Sequence, residues 1–185
     1  MQKIEVNVIA LTESVSKPQH YVLILQEPKS KKRIPIIIGI HEAKSIAMFM
    51  EKLTPSRPQT HDLFISFFDK LQSKLKEVFI HTLDDQTYYS KVFFHDTYKA
   101  LHEIDARPSD AIAIAIRCDC PIFISELILE TTGYLIDEKG REKKGSYAEY
   151  SMRELEELLE KVILKEDYES AIRIREAIER RKKAQ

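Results

Sequence analysis

The sequence predicts an α+β fold: a mixed, strongly curved β-sheet with packed helices, followed by a short C-terminal α-helical hairpin. Three observations carry this. Up to about residue 135, short runs rich in Val, Ile, Phe and Tyr with a period of two alternate with apolar stripes of period 3.6. The order of three strands and then a helix occurs twice, the pattern of a duplicated three-strand–helix unit. Past Gly133 the composition becomes charged and glycine-punctuated, and then a leucine stripe begins. The expected organisation is a domain over residues 1–135, a charged linker over 136–150 and a helical hairpin over 151–185.

Each element has its own reason. KIEVNVIAL sets Ile4, Val6 and Val8 against Glu5 and Asn7, a half-buried strand. HYVLILQEP is a second strand, ended by Pro28 and followed by the basic turn KSKKR. RIPIIIGI is a third, β-branched and apolar enough to be central, although Pro35 cannot donate to a ladder and puts its start at an edge or bulge. Gly39 ends it. HEAKSIAMFMEKL carries Ala43, Ile46, Ala47 and Met50 on one helical face. After the loop TPSRPQT, THDLFISFFDKLQSKL carries Leu63, Phe64, Phe67, Phe68 and Leu71.

The strands EVFIHTL, TYYSKVFFHD and KALHEID come next. PSDAIAIAIR reads as a helix over 108–117: proline suits the first turn, Asp110 complements the helix dipole, and Arg107 is held extended before the proline. PIFIS is a strand. In the last segment Ser151 and Glu154 form a capping box, and Leu155, Leu158, Leu159, Val162 and Ile163 line one face. Asp167 can cap a second helix carrying Tyr168, Ala171, Ile172 and Ile178.

A net charge of −1 over 185 residues supplies no global attraction to nucleic acid or to an anionic membrane, so any such contact must be local. KSKKR and the terminal RRKK are candidate phosphate contacts, and Tyr88 and Tyr89 candidate stacking residues, although solvated runs and packed aromatics have the same composition. Cys118 and Cys120 are too close in sequence to staple a fold and make half a zinc site at most; they read as reduced thiols at a helix end. Apolar runs such as IPIIIGI fall well short of the ~20 residues of a membrane helix. The opening MQKIEVNVIAL reads as a strand and not as a signal segment, and the expected location is cytoplasmic.

The chemistry concentrates in two related helix starts, RPQTHD (Arg57–Asp62) and RPSD (Arg107–Asp110). Each joins Arg-Pro, a hydroxyl residue and an aspartate at a place where free backbone N–H groups and the dipole favour an anion. Arg57 and Arg107, with Thr60 and Ser109, are candidate phosphate ligands. Asp62, Asp105 and Asp110 can activate water, Asp105 and Asp110 can hold Mg²⁺ or Mn²⁺, and His61 can move a proton. Phosphodiester cleavage needs these parts. The same residues also make a sound helix start in which arginine pairs with aspartate, or a charged contact across a two-fold axis of a homo-oligomer.

IPIIIGIHEAKSIAMFM, RPQTHDL, TYYSKVFF, IDARPSDAIAIAIR and PIFIS, in that order, resemble the bacterial and plant bifunctional nuclease domain over roughly residues 1–135. The resemblance implies cleavage of DNA and RNA with little sequence preference. The family's motif falls on Arg57, Thr60, His61 and Asp62, and on Asp105, Arg107, Ser109 and Asp110. Asp167, Tyr168, Glu169, Ala171, Arg175, Glu176 and Ile178 resemble a UVR motif, as in excinuclease subunits B and C and some Clp-type chaperones. This implies a protein partner docking through the C-terminal helices, with Tyr168, Glu169 and Arg175 as contacts. The competing expectation is a non-catalytic anion- or partner-binding adaptor linked to DNA repair or proteostasis.

Overall fold

The computed structural model describes residues 2–15, 17–136, 142–143, 150–164 and 168–182. The period-two segments form an antiparallel meander of β1 (Lys3–Glu13), β2 (His20–Gln26) and β3 (Arg33–Gly39). Helices α1 (Ile40–Met50) and α2 (Thr60–Lys70) follow. A second antiparallel meander is made of β4 (Lys74–Asp84), β5 (Thr87–His95) and β6 (Leu101–Ala106). Helix α3 (Pro108–Arg117) returns the chain to β7 (Ile122–Ser125). This strand joins the two meanders, antiparallel to β1 and parallel to β4, in one sheet of order β3-β2-β1-β7-β4-β5-β6.

Three expectations about architecture are corrected. The sheet is mixed, but it is open and not strongly curled; β3 and β6 remain its edges. Helices cover its apolar face, so burial does not require the sheet to wrap onto itself. Three strands followed by helix do recur, but that order does not show a duplication. The first meander leads into two helices, the second into one helix and β7. The apolar run RIPIIIGI suits a central strand, but β3 is an edge strand, where the missing donor of Pro35 costs no central ladder bond.

Two local boundaries also differ. The segment THDLFISFFDKLQSKL, with Leu71 on its stripe, predicts a longer second helix, but α2 stops at Lys70. Gln72 takes a left-handed φ of 52°, and the N–H groups of Gln72 and Ser73 turn back to the carbonyls of Asp69 and Phe68. Leu75 then enters β4 opposite Phe94. Helix α4 (Glu126–Thr132) was not foreseen, because seven residues are too few to display a helical period; Ile128 and Leu129 nevertheless reach the core. The short strands β8 (Leu135–Ile136) and β9 (Glu142–Lys143) pair across the start of the expected linker.

Val6, Val78, Ile80, Val92, Ile122 and Ile124 share the covered face of the sheet with Ala43 and Ile46 of α1 and Ile128 and Leu129 of α4. Fully burying side chains of this size stabilises by about 1.5–3 kcal/mol each. Ala111 through Ala115 are all buried, as expected of a helix without a polar face: its small residues seat it on β4 and β5 between α1 and α2. The opposite face mixes charged and aromatic side chains. There Lys3 pairs with Glu77 and lies 4.8 Å from the ring centroids of Phe79 and Phe93, while Lys91 pairs with Glu103.

The C-terminal hairpin is α5 (Met152–Leu164) and α6 (Tyr168–Lys182). Its capping box is present: the Ser151 N–H donates to Glu154 Oε2 at 2.6 Å and the Glu154 N–H to Ser151 Oγ at 3.1 Å. Leu155, Ile174 and Ile178 form its centre, with Leu158, Leu159 and Val162 against them. Ile163 and Ile172 fall off the stripe and are exposed, and Ile174 takes the buried place. Asp167 lies outside the described residues. Gln86 donates to Glu154, and α6 meets α4, so the hairpin rests on the main domain. Among the described residues no helix is long and apolar enough to cross a membrane.

Candidate active site at the junction of three helices

The starts of α2 and α3 and the first turns of α1 converge. Residue 107 caps α3 in an extended conformation (φ −64°, ψ 142°), Pro108 opens the helix, and Asp110 is its third residue. Gln59 caps α2, so His61 and Asp62 are its second and third residues. Helix α1 supplies Glu42 and Ser45 from successive turns.

Asp110 is held from two sides. Arg107 donates to it through Nε (2.7 Å to Oδ2) and Nη2 (3.1 Å to Oδ1). His61 Nε2 lies 3.3 Å from Oδ1. The Arg107 guanidinium also reaches Glu42 at 2.9 Å, yet its side chain remains 65% exposed. The two carboxylates raise the Arg107 pKa, Asp110 most strongly. A Cβ at Gly39 would stand 2.6 Å from Glu42 Oε2, so the glycine leaves room for that carboxylate.

Behind this pair is a second layer that the sequence did not announce. Arg117, at the far end of α3, is only 7% exposed. Its Nε donates to Asp62 Oδ1 at 2.8 Å and its Nη1 to the Ala113 carbonyl at 2.8 Å. Its Nη2 reaches the Ser45 carbonyl at 3.0 Å and Ser45 Oγ at 3.1 Å, and the group lies over the Phe49 ring. Ser45 Oγ is in turn 2.8 Å from His61 Nδ1. A chain of contacts therefore runs Arg117–Ser45–His61–Asp110–Arg107. Asp62 branches from its Arg117 end. Its Oδ2 accepts the Gln59 N–H at 2.8 Å; that bond, opposed by burial and helped by Arg117, lowers its pKa.

The family model described as "Bifunctional nuclease domain" matches residues 23–137. The chain belongs to that family. An uncharacterized protein of Mycobacterium tuberculosis is 37% identical over 160 residues, covering 85% of this chain and 94% of its own. Bifunctional nuclease 1 of Arabidopsis thaliana is 24% identical over 126 residues, and bifunctional nuclease 2 of Oryza sativa subsp. japonica 27% over 128. Those matches cover 67% and 68% of this chain and 39% of each plant protein.

Of the site residues expected from the sequence, the fold brings His61, Arg107 and Asp110 into direct contact and places Asp62 one layer behind. Ser109 is buried within α3, whereas Thr60 and Arg57 are exposed at and before the start of α2. Asp105 is not in the cluster. It pairs across β5 with Lys91, and strand alternation sets it on the face opposite Ile104 and Val92, away from α3. Among the described residues no three His, Cys, Asp or Glu groups converge as metal ligands. Asp110 is engaged by Arg107 and His61, and Asp105 lies outside the cluster, so the two do not make a ready cation site.

Among the lesser candidates, Tyr88 and the two cysteines are packed in the fold. The Tyr88 hydroxyl donates to the Pro35 carbonyl at 3.1 Å, and burial pushes its pKa up to about 12; Tyr89 is exposed. Burial raises both thiols, Cys120 to about 11. Arg175 is exposed on α6, while the side chains of Tyr168 and Glu169 lie outside the described residues.

Proposed function

We propose that this chain is a phosphodiester hydrolase acting on DNA and RNA with little sequence preference. The observation that carries this reading is the Asp110 carboxylate, oriented by His61 and Arg107 beside an exposed guanidinium. A substrate phosphate competes with Glu42 for Arg107, whose fork fits two phosphate oxygens. Asp110 accepts a proton from the water that attacks phosphorus, Arg107 offsets the charge that develops on the phosphate oxygens as the ester P–O bond breaks, and the leaving oxygen takes a proton from solvent. Arg57 and Thr60 extend the phosphate path. With a net charge of −1 binding is local, and cleavage falls steeply with added salt.

The deciding experiment is cleavage of end-labelled single- and double-stranded DNA and RNA with Mg²⁺, Mn²⁺ or EDTA, beside an equally purified, folded Arg107→Ala/Asp110→Ala variant. Cutting by wild type alone supports the proposal, and the EDTA arm measures metal dependence. Equal cutting by both preparations removes it.

The same geometry favours a second reading. Arg107 is already neutralised by two carboxylates of its own chain, as in a structural helix clamp. The domain would then be a binding module, with the C-terminal hairpin as a UVR-like docking element and Arg175 among its contacts. Absence of cleavage, with partners lost on removal of residues 150–185, would establish it. The pairing of Arg107 within the chain argues against this charge as the contact of a homo-oligomer; an unchanged solution mass of Arg107→Ala would agree.

A further inference from the structure

We infer that Ser45 and Arg117 are positioning residues that fix the tautomer of His61, with the proton on Nε2, so that His61 orients Asp110 as a donor and does not itself take the proton from water. The inference rests on the proposed site but not on its activity.

Arginine can only donate. The contact between Arg117 Nη2 and Ser45 Oγ at 3.1 Å therefore uses a lone pair of the serine oxygen. The other contact of that hydroxyl is His61 Nδ1 at 2.8 Å, and Ser45 is 6% exposed, which leaves little access to water. The hydroxyl proton consequently goes to Nδ1, which must be the unprotonated ring nitrogen. A neutral imidazole then carries its proton on Nε2, facing a carboxylate oxygen 3.3 Å away. The other tautomer leaves the serine proton without an acceptor and sets a nitrogen lone pair against the Asp110 oxygen, an arrangement disfavoured at both ends.

The assignment changes the roles in the site. Asp110 Oδ1 receives His61 and one arm of Arg107, while Oδ2 receives only the other arm and keeps a lone pair for water. The order is that of a serine-hydrolase relay turned round: here the carboxylate faces the substrate side and the serine is buried behind the imidazole. Ser45 is a support of the site and not a nucleophile.

The test is a two-bond ¹H–¹⁵N spectrum of the full chain labelled at histidine, with His61 assigned from the signals lost in His61→Gln. Wild type should show pyridine-type Nδ1 and pyrrole-type Nε2. Asp110→Asn separates the two anchors, because an amide can donate or accept at Nε2 and no longer dictates the tautomer. The pattern should persist in Asp110→Asn and become an average of the two forms when Ser45→Ala is added. Arg117→Lys, which keeps the charge but loses the fork, should act like Ser45→Ala in that background. A protonated Nδ1 in wild type overturns the inference. So does averaging in Asp110→Asn alone, or a pattern unchanged by both added substitutions. If the spectra are as expected and the chain cuts no nucleic acid, the nuclease reading fails and the tautomer assignment stands.

Discussion

Helices α2 and α3 begin with an aspartate at the same position, the third residue of the helix, and use it in opposite ways. Asp62 turns one oxygen back to the cap of its own helix and gives the other to the buried Arg117. Asp110 is held by the Arg107 side chain and by a histidine from α2. The arginines explain the difference. Arg107 is itself the cap of α3 and folds onto Asp110, whereas Arg57 lies two residues before the cap of α2 and makes no such return. Similar sequence at two helix starts thus gives one joint and one candidate reaction centre. The partner of each carboxylate, more than its place in a motif, decides which.

The largest effect should come from challenging the centre and the joint in the same assay. Asp110→Asn should lower cleavage about 10²–10⁴-fold, the usual scale for a lost general base, while the melting temperature stays near that of wild type. Asp62→Asn should lower cleavage less than about tenfold and act on stability instead. Equal losses of activity in the two variants would dissolve the contrast.

Arg117→Met should be next in size. It removes the donor shared by Asp62, Ser45 and the Ala113 carbonyl, and so unties α1, α2 and α3 together. Breaking a buried pair costs about 3–5 kcal/mol; because the Asp62 carboxylate is 32% exposed, the expectation here is nearer 2–3 kcal/mol. Denaturant unfolding with an unchanged m-value checks it. A loss below about 1 kcal/mol would mean that Arg117 is a bystander to packing.

How much of this was legible follows from the range of each signal. Periodicity is local, so it gave most strands, α3 to the residue and the hairpin with its capping box. It did not place β7 between the meanders, because four residues in PIFIS carry no information about which strands they will join. The site divides the same way. His61, Arg107 and Asp110 stand in two helix starts that composition marks out. Ser45 sits beside the buried Ala43 and Ile46 of α1, and Arg117 ends the buried run of α3; only the packing of α1 against α3 brings them into contact. A signal did exist: an arginine ending the buried run AIAIAI must find acceptors. Asp105 misled because a neighbour in sequence on a strand can face the other side of a sheet.

Acidification sharpens the comparison more gently. The Asp62 pKa is lowered in the folded state, mainly by the Gln59 N–H. Its contribution to stability is therefore complete above the unfolded value of about 3.9 and is lost as pH falls through the lower folded value. Wild type should exceed Asp62→Asn by about 1–2 kcal/mol at neutral pH, the scale of a lost cap. The gap should hold from pH 7 to about 5 and close below about 4. A gap that persists at the lowest pH would assign the effect to shape and not to charge.

The smallest change should be Arg57→Ala, and it probes substrate without touching the joint. The residue is exposed in the loop before α2, so stability should move by no more than about 0.5 kcal/mol. Arg107 cannot be tested so cleanly, since removing it also releases Glu42 and Asp110. If Arg57 meets a phosphate, KM for nucleic acid should rise about three- to tenfold with kcat unchanged, because such a contact is the same in ground and transition states. The slope of log KM against log salt should shrink by about one. An unchanged KM and slope would confine substrate to the α3 side, and the likeness of RPQTHD to RPSD would then record helix capping alone.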